Sequence, residues 1–119
     1  MAAQYRIYHN PRCTKSRQTL ALLQDAGITP EIVLYLDTPP DTQQLNQLIK
    51  QLGFSSARQL LRTGEDAYKQ LALNNPACSE AQIIAAMAEH PKLIERPIVV
   101  KGNKAILGRP PENVLSLMS

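Results

Sequence analysis

The chain has 119 residues, enough for one ordinary domain and too few for two. A hydrophobic fraction of 44% supports a core that Leu, Ile, Val and Ala must fill, because only 4% of residues are aromatic. The net charge of +3 is scattered rather than gathered in runs, which speaks against a nucleic-acid stripe or a membrane-surface helix and suits a few arginines serving a small anion.

The chain opens on a short strand-like run, Tyr5 to Tyr8. Met1 to Tyr8 carries neither the apolar stretch nor the cleavage site of a signal peptide, so none is expected. No apolar run approaches the ~20 residues of a membrane span. The stretch Tyr8 to Leu20 then leads into a helical pattern with Leu20, Leu23 and Ala26 on one face and Gly27 as its stop. Cys13 therefore falls on a loop at a helix N-terminus, where unpaired N–H groups and the positive end of the helix dipole favour a thiolate and an oxyanion beside it. His9, Arg12, Lys15 and Arg17 lie within four residues and are expected to add positive charge. Cys13-Thr14-Lys15-Ser16 has the spacing of a dithiol redox motif with a hydroxyl in the second place. Ser16 could donate a hydrogen bond to a Cys13 thiolate but could not form a disulfide with it. A lone cysteine at a helix start is ordinarily an inert small hydrophobe, so the spacing alone does not decide the matter.

Ile32 to Leu36 read as a second strand, closed by Asp37-Thr38-Pro39-Pro40, and complete a β-α-β start with parallel strands. Asp41 with Gln44 forms a capping box for a helix carrying Leu45, Leu48, Ile49 and Leu52, ended by Gly53. Ser55 to Leu73 read as two short helices separated at Arg62-Thr63-Gly64, capped by Ser56 with Gln59 and by Thr63 with Asp66. Asn74-Asn75-Pro76 breaks the chain, and Ser79 with Gln82 caps a longer helix over Ile83, Ile84 and Met87, running to about His90-Pro91. Cys78, just ahead of that cap, reads as structural or chemically idle. Two cysteines so far apart do not make a disulfide framework, neither has a neighbour at zinc-ligand spacing, and the expected setting is the reducing cytoplasm.

The last third returns to strand. Ile98-Val99-Val100 and Ala105-Ile106-Leu107 flank Lys101-Gly102-Asn103-Lys104, whose Gly-Asn pair suits a tight hairpin turn of the primed kind. Gly108-Arg109-Pro110-Pro111 starts a final helix with Val114, Leu115, Leu117 and Met118 as its apolar contacts. The order β-α-β, helices, β-β, α is that of an α/β, thioredoxin-like (glutaredoxin-like) domain spanning residues 1–119, with a helical insertion at about 41–91.

Five segments then carry a resemblance: His9-Asn10-Pro11-X-Cys13, Ser16-Arg17-X-Thr19-Leu20, Arg62 before Thr63-Gly64, Glu95-Arg96-Pro97-Ile98, and Gly108-Arg109-Pro110. Nearly end to end, from Tyr5 to Leu115, the sequence resembles the glutaredoxin-coupled arsenate reductases. The resemblance implies Cys13 as nucleophile and Arg62, Arg96 and Arg109 as the arginines holding the arsenate oxygens. It implies His9 as a histidine that helps keep the thiolate ionised, Pro97 as the cis-proline of thioredoxin-like folds, and Ser16 as the serine in place of a second cysteine. It implies no metal and no bound cofactor, with glutathione as external reductant and glutaredoxin as partner. Thr14-Lys15 departs from the family's usual Gly-Thr; a glycine lets backbone approach an anion closely, so Thr14 is expected to narrow or retune the site. Two other functions fit the same fold: a non-enzymatic regulator binding RNA polymerase, against which Ser16 removes only the disulfide switch, and a thiol transferase or reductase acting on another substrate.

Overall fold

The computed structural model describes residues 4–118. The N-terminal reading over Met1–Ala3 and the outer limits of the expected domain lie outside the described residues. The chain forms two compact units: the described residues up to Thr38 together with those from Arg96 onward, and Pro39–Glu95.

The first unit holds a four-stranded mixed sheet in the order β2-β1-β3-β4, with β1 at Tyr5–Tyr8, β2 at Glu31–Val33, β3 at Ile98–Lys101 and β4 at Lys104–Leu107. β1 runs parallel to β2 and antiparallel to β3, which pairs antiparallel with β4. Helix α1, Thr14–Asp25, makes the β1-to-β2 crossover and stops where Gly27 takes φ +82°, a left-handed conformation cheap only for glycine. Ile7, Leu23, Val99, Val114 and Leu117 form its buried core, with Tyr5, Leu20, Ile28 and Ile106 packed around them. Full burial of one such side chain is worth about 1.5–3 kcal/mol, so this cluster fixes α1 against the sheet.

Some expected boundaries move. β2 ends at Val33, and Tyr35–Asp37 form a turn, with Asp37 N–H donating to the Leu34 carbonyl. The reason lies in the partner: the β1–β2 register ends at Tyr8 and Val33, His9 N–H adds a rung to Val33 O, and from Leu34 the chain turns back on itself, the Leu34 carbonyl accepting from the Asp37 and Thr38 N–H groups. On α1 the buried face is Ser16, Thr19 and Leu23, whereas Ala26 is exposed. The β3–β4 hairpin has its two-residue Gly102-Asn103 loop, with positive φ at Gly102 and not at Asn103, the pattern of a II′ turn. The C-terminal segment begins as a 3₁₀ turn, Pro111–Val114, and becomes helix α5 only at Leu115–Met118; Leu115 is exposed rather than packed.

The second unit contains helices α2, Thr42–Leu52, α3, Asp66–Gln70, and α4, Glu80–Glu89. Full capping boxes at Asp41/Gln44 and Ser79/Gln82 start α2 and α4, and Gly53 ends α2 at φ +74°. α2 and α4 pack together, and Leu45, Leu48, Ile49, Ile83, Ile84 and Met87 are all buried. The Ser56/Gln59 box also forms, yet it starts a 3₁₀ turn, Ala57–Leu60, and not an α-helix. The expected Thr63 cap does not form: Glu65 occupies the N-cap of the five-residue α3, with no side-chain cap bond.

Candidate active site

β1 delivers the chain into a short loop whose bonds are local. Asn10 Oδ1 accepts from Arg12 N–H at 3.0 Å, and the Asn10 carbonyl accepts from Cys13 N–H at 3.0 Å. This side-chain-to-backbone turn places Cys13 at the N-cap of α1, half-buried, with φ −95° and ψ 122°. The Asn-Pro pair was the available signal for it; Asn10 belongs to the site loop although the sequence reading gave it no role.

Burial alone pushes the Cys13 thiol up. The Ser16 backbone N–H, the charge and hydrogen bond of the Arg96 guanidinium, and the Lys15 backbone N–H outweigh it, so the thiol sits below its ordinary pKa. The helix terminus thus acts as expected, but the charge does not come from the neighbouring side chains. Arg12, Lys15 and Arg17 are exposed, and Arg17 is spent on the Pro11 carbonyl at 2.9 Å and Thr14 Oγ1 at 3.3 Å. The cation that matters arrives from the far end of the chain.

Ser16 and His9 form a buried pair. Ser16 Oγ lies 2.6 Å from His9 Nδ1 and accepts the Asn10 N–H at 3.1 Å. In the neutral imidazole Nδ1 either accepts the Ser16 hydroxyl proton or donates to Ser16 Oγ, according to the tautomer. Burial, and then the charge of Arg17, hold the His9 imidazole below its ordinary pKa. His9 is therefore neutral near pH 7 and orders Ser16 rather than supplying charge to the thiolate. The Ser16 group directed at the sulfur is its backbone N–H, and its hydroxyl serves His9.

The Arg96–Pro97 peptide is cis, as is Arg109–Pro110. Arg109 Nη1 donates to the Arg96 carbonyl at 3.2 Å, and Gly108 N–H donates to the Pro97 carbonyl at 3.0 Å. Cys13, Arg96, Pro97 and Arg109 are thus tied together within one unit. Thr19, fully buried on α1, reaches the Gly108 carbonyl at 3.5 Å. Arg62 lies in the other unit, where Nη1 pairs with Glu95 Oε1 at 2.7 Å and Nε faces Glu65 Oε1 at 3.5 Å. Glu95 stood in the sequence only as part of the Glu95-Arg96-Pro97-Ile98 segment, with no role, and Glu65 was not named. Thr14, at the first position of α1, is exposed and helical, so a glycine's freedom is not needed there. Among the described residues no group of three His, Cys, Asp or Glu side chains gathers at metal-binding distance. A groove of about 370 Å³ opens beside the loop, lined by His9, Arg12, Leu34, Leu36 and Asp37 among others.

A β-α-β start, a single cysteine capping the crossover helix and a cis-proline ahead of β3 define a thioredoxin-like protein with one site thiol. Comparison with known proteins narrows this further. Residues 8–117 match the family described as the ArsC family. The chain is 55% identical over 118 residues to a protein of Escherichia coli strain K12 called "uncharacterized protein YfgD", covering 99% of each. It is 50% identical over 112 residues to a Haemophilus influenzae protein named arsenate reductase, covering 94% of this chain and 97% of that one. A solved structure described as arsenate reductase from Vibrio cholerae matches with a TM-score of 0.95 at 51% identity, covering 98% of both chains. The chain belongs to the ArsC family.

Proposed function

We propose that this protein is a thiol-dependent oxyanion reductase that converts arsenate to arsenite. The Cys13 thiolate attacks arsenic, an As–S bond forms, and one oxygen leaves as hydroxide, released as water once protonated. A glutathione thiolate then attacks the Cys13 sulfur, and the As–S electron pair passes to arsenic, which leaves as arsenite. The two thiols have supplied two electrons and are now a Cys13–glutathione mixed disulfide, which glutaredoxin clears with a further glutathione. Arg96 and Arg109, with Arg62 as the third, hold the oxyanion oxygens, and no bound cofactor or metal enters the scheme. A reducing cytoplasm with a glutathione pool is the setting this chemistry requires.

The observation that carries this reading is the Cys13 thiol at the N-cap of α1, where the Ser16 and Lys15 backbone N–H groups and the Arg96 guanidinium outweigh its burial and hold it below its ordinary pKa. A thiolate and an oxyanion repel one another, so positive potential fixed at the sulfur is what the first step needs. The relatives named arsenate reductase support arsenate as the anion. The test is steady-state arsenite production with glutathione and glutaredoxin supplied, with phosphate and glutathione mixed-disulfide substrates run in parallel. Arsenite formation that vanishes in Cys13→Ser supports the reading; turnover of mixed disulfides without arsenite formation overturns it.

A further inference from the structure

Arg62 is fixed opposite Glu95 by backbone. Arg62 N–H donates to the Leu93 carbonyl at 2.7 Å and Glu95 N–H donates to the Leu60 carbonyl at 2.8 Å, on either side of an antiparallel Leu61–Ile94 bridge. The side chains then close at 2.7 Å, with Arg62 only 23% and Glu95 24% exposed. Glu65 approaches from α3's N-cap, its carboxylate 3.5 Å from Arg62 Nε. The contact is an ion pair without a hydrogen bond, and the buried Nε makes none.

A guanidinium grips a tetrahedral oxyanion best through two adjacent N–H groups, either Nη1 with Nη2 or Nε with Nη2. At Arg62 the first pair is compromised by Glu95 on Nη1 and the second by Glu65 in front of Nε. One positive charge already faces two negative ones. We propose that Glu95 is a built-in competitor for Arg62: an oxyanion engages Arg62 only by exchange with the Glu95 carboxylate, so Glu95 sets how tightly free oxyanions are taken. This rests on the reading of Arg62 as an oxyanion ligand. The exchange breaks a short charge-assisted bond, which keeps affinity for free anions low. The role is that of a specificity and positioning residue, since Glu95 touches Arg62 and not the reacting atoms.

The experiment is calorimetric titration of the full chain with arsenate and, separately, with inorganic phosphate. Four forms are compared: the wild type, Glu95→Gln, Arg62→Gln and the double variant. Gln keeps the size of Glu95 and removes its charge. The expected result is binding about three- to tenfold tighter in Glu95→Gln, weaker binding in Arg62→Gln, and no tightening by Glu95→Gln once Arg62 is gone. Glu65→Gln provides a second route should Glu95→Gln lose its fold, with an expected gain of about twofold from a longer, weaker contact. If Arg62→Gln weakens binding but neither carboxylate variant tightens it, the competitor is disproved and Arg62 remains an anion ligand. If Arg62→Gln changes nothing, both the competitor and that ligand assignment fall.

Discussion

The Cys13 thiolate is favoured by groups of two kinds, backbone N–H at the start of α1 and one guanidinium from beyond the helical segment. Each kind makes a separate expectation. In a Cys78→Ala background the thiolate absorbance should titrate below the ~8.5 of a free cysteine. Arg96→Gln should move that pKa upward, while Arg12→Gln and Arg17→Gln should scarcely move it. Equal shifts from all three would return the effect to the local cluster. His9 gives a second expectation with opposite chemistry. Its folded pKa is depressed, so the unfolded chain binds the proton more readily, and the neutral ring's contribution is complete above the unfolded value of ~6.5 and is lost as pH falls below it. Urea melts between about pH 7.5 and 5.5 should show stability falling with pH, and His9→Gln should flatten that slope. An unchanged slope would mean that His9 is not the neutral partner of Ser16.

Local sequence chemistry was enough to read α2 and α4, because their start signals are side chains three residues apart and their apolar positions repeat with the helix. It did not suffice where a partner decides the outcome. Leu34 to Leu36 have strand composition, yet β1 offers no further rungs; Thr63 with Asp66 has cap spacing, yet Glu65 takes the cap. Pairwise contacts across the chain, such as Arg62 with Glu95 or Arg96 with Cys13, leave no periodic trace at all. Gly108 is a third case of this kind. A Cβ there would run into Thr19 Oγ1 and come within 2.9 Å of Pro97 Cγ. Gly108→Ala should therefore cost about 1–3 kcal/mol and disturb the cis-proline loop between α1 and β4. Adding Thr19→Ala removes one of the two clashing side chains, so the double variant should recover part of the loss in a denaturant melt. Strict additivity of the two changes would show that the close approach is not what Gly108 is there to permit.

At the scale of the whole molecule the question is where the second sulfur comes from. Reducing arsenate to arsenite takes two electrons, and one protein thiol can give them only together with another thiol. Ser16 cannot be that partner, because it has no sulfur and its hydroxyl is committed to His9. Cys78 is a free thiol, half-buried, whose Sγ lies 3.7 Å from the Ala72 carbonyl in the turn that follows α3. Cys13, by contrast, occupies the N-cap of α1. In the proposed scheme the second thiol therefore comes from outside the chain. Cys78→Ser should retain nearly all arsenite production with glutathione and glutaredoxin present, and Cys13→Ser should retain none. Oxidised glutathione should leave a mixed disulfide on Cys13, read by intact mass and removed by glutaredoxin. Detection of an internal Cys13–Cys78 disulfide during turnover, together with loss of activity in Cys78→Ser, would replace this scheme with one in which the chain resolves its own intermediate.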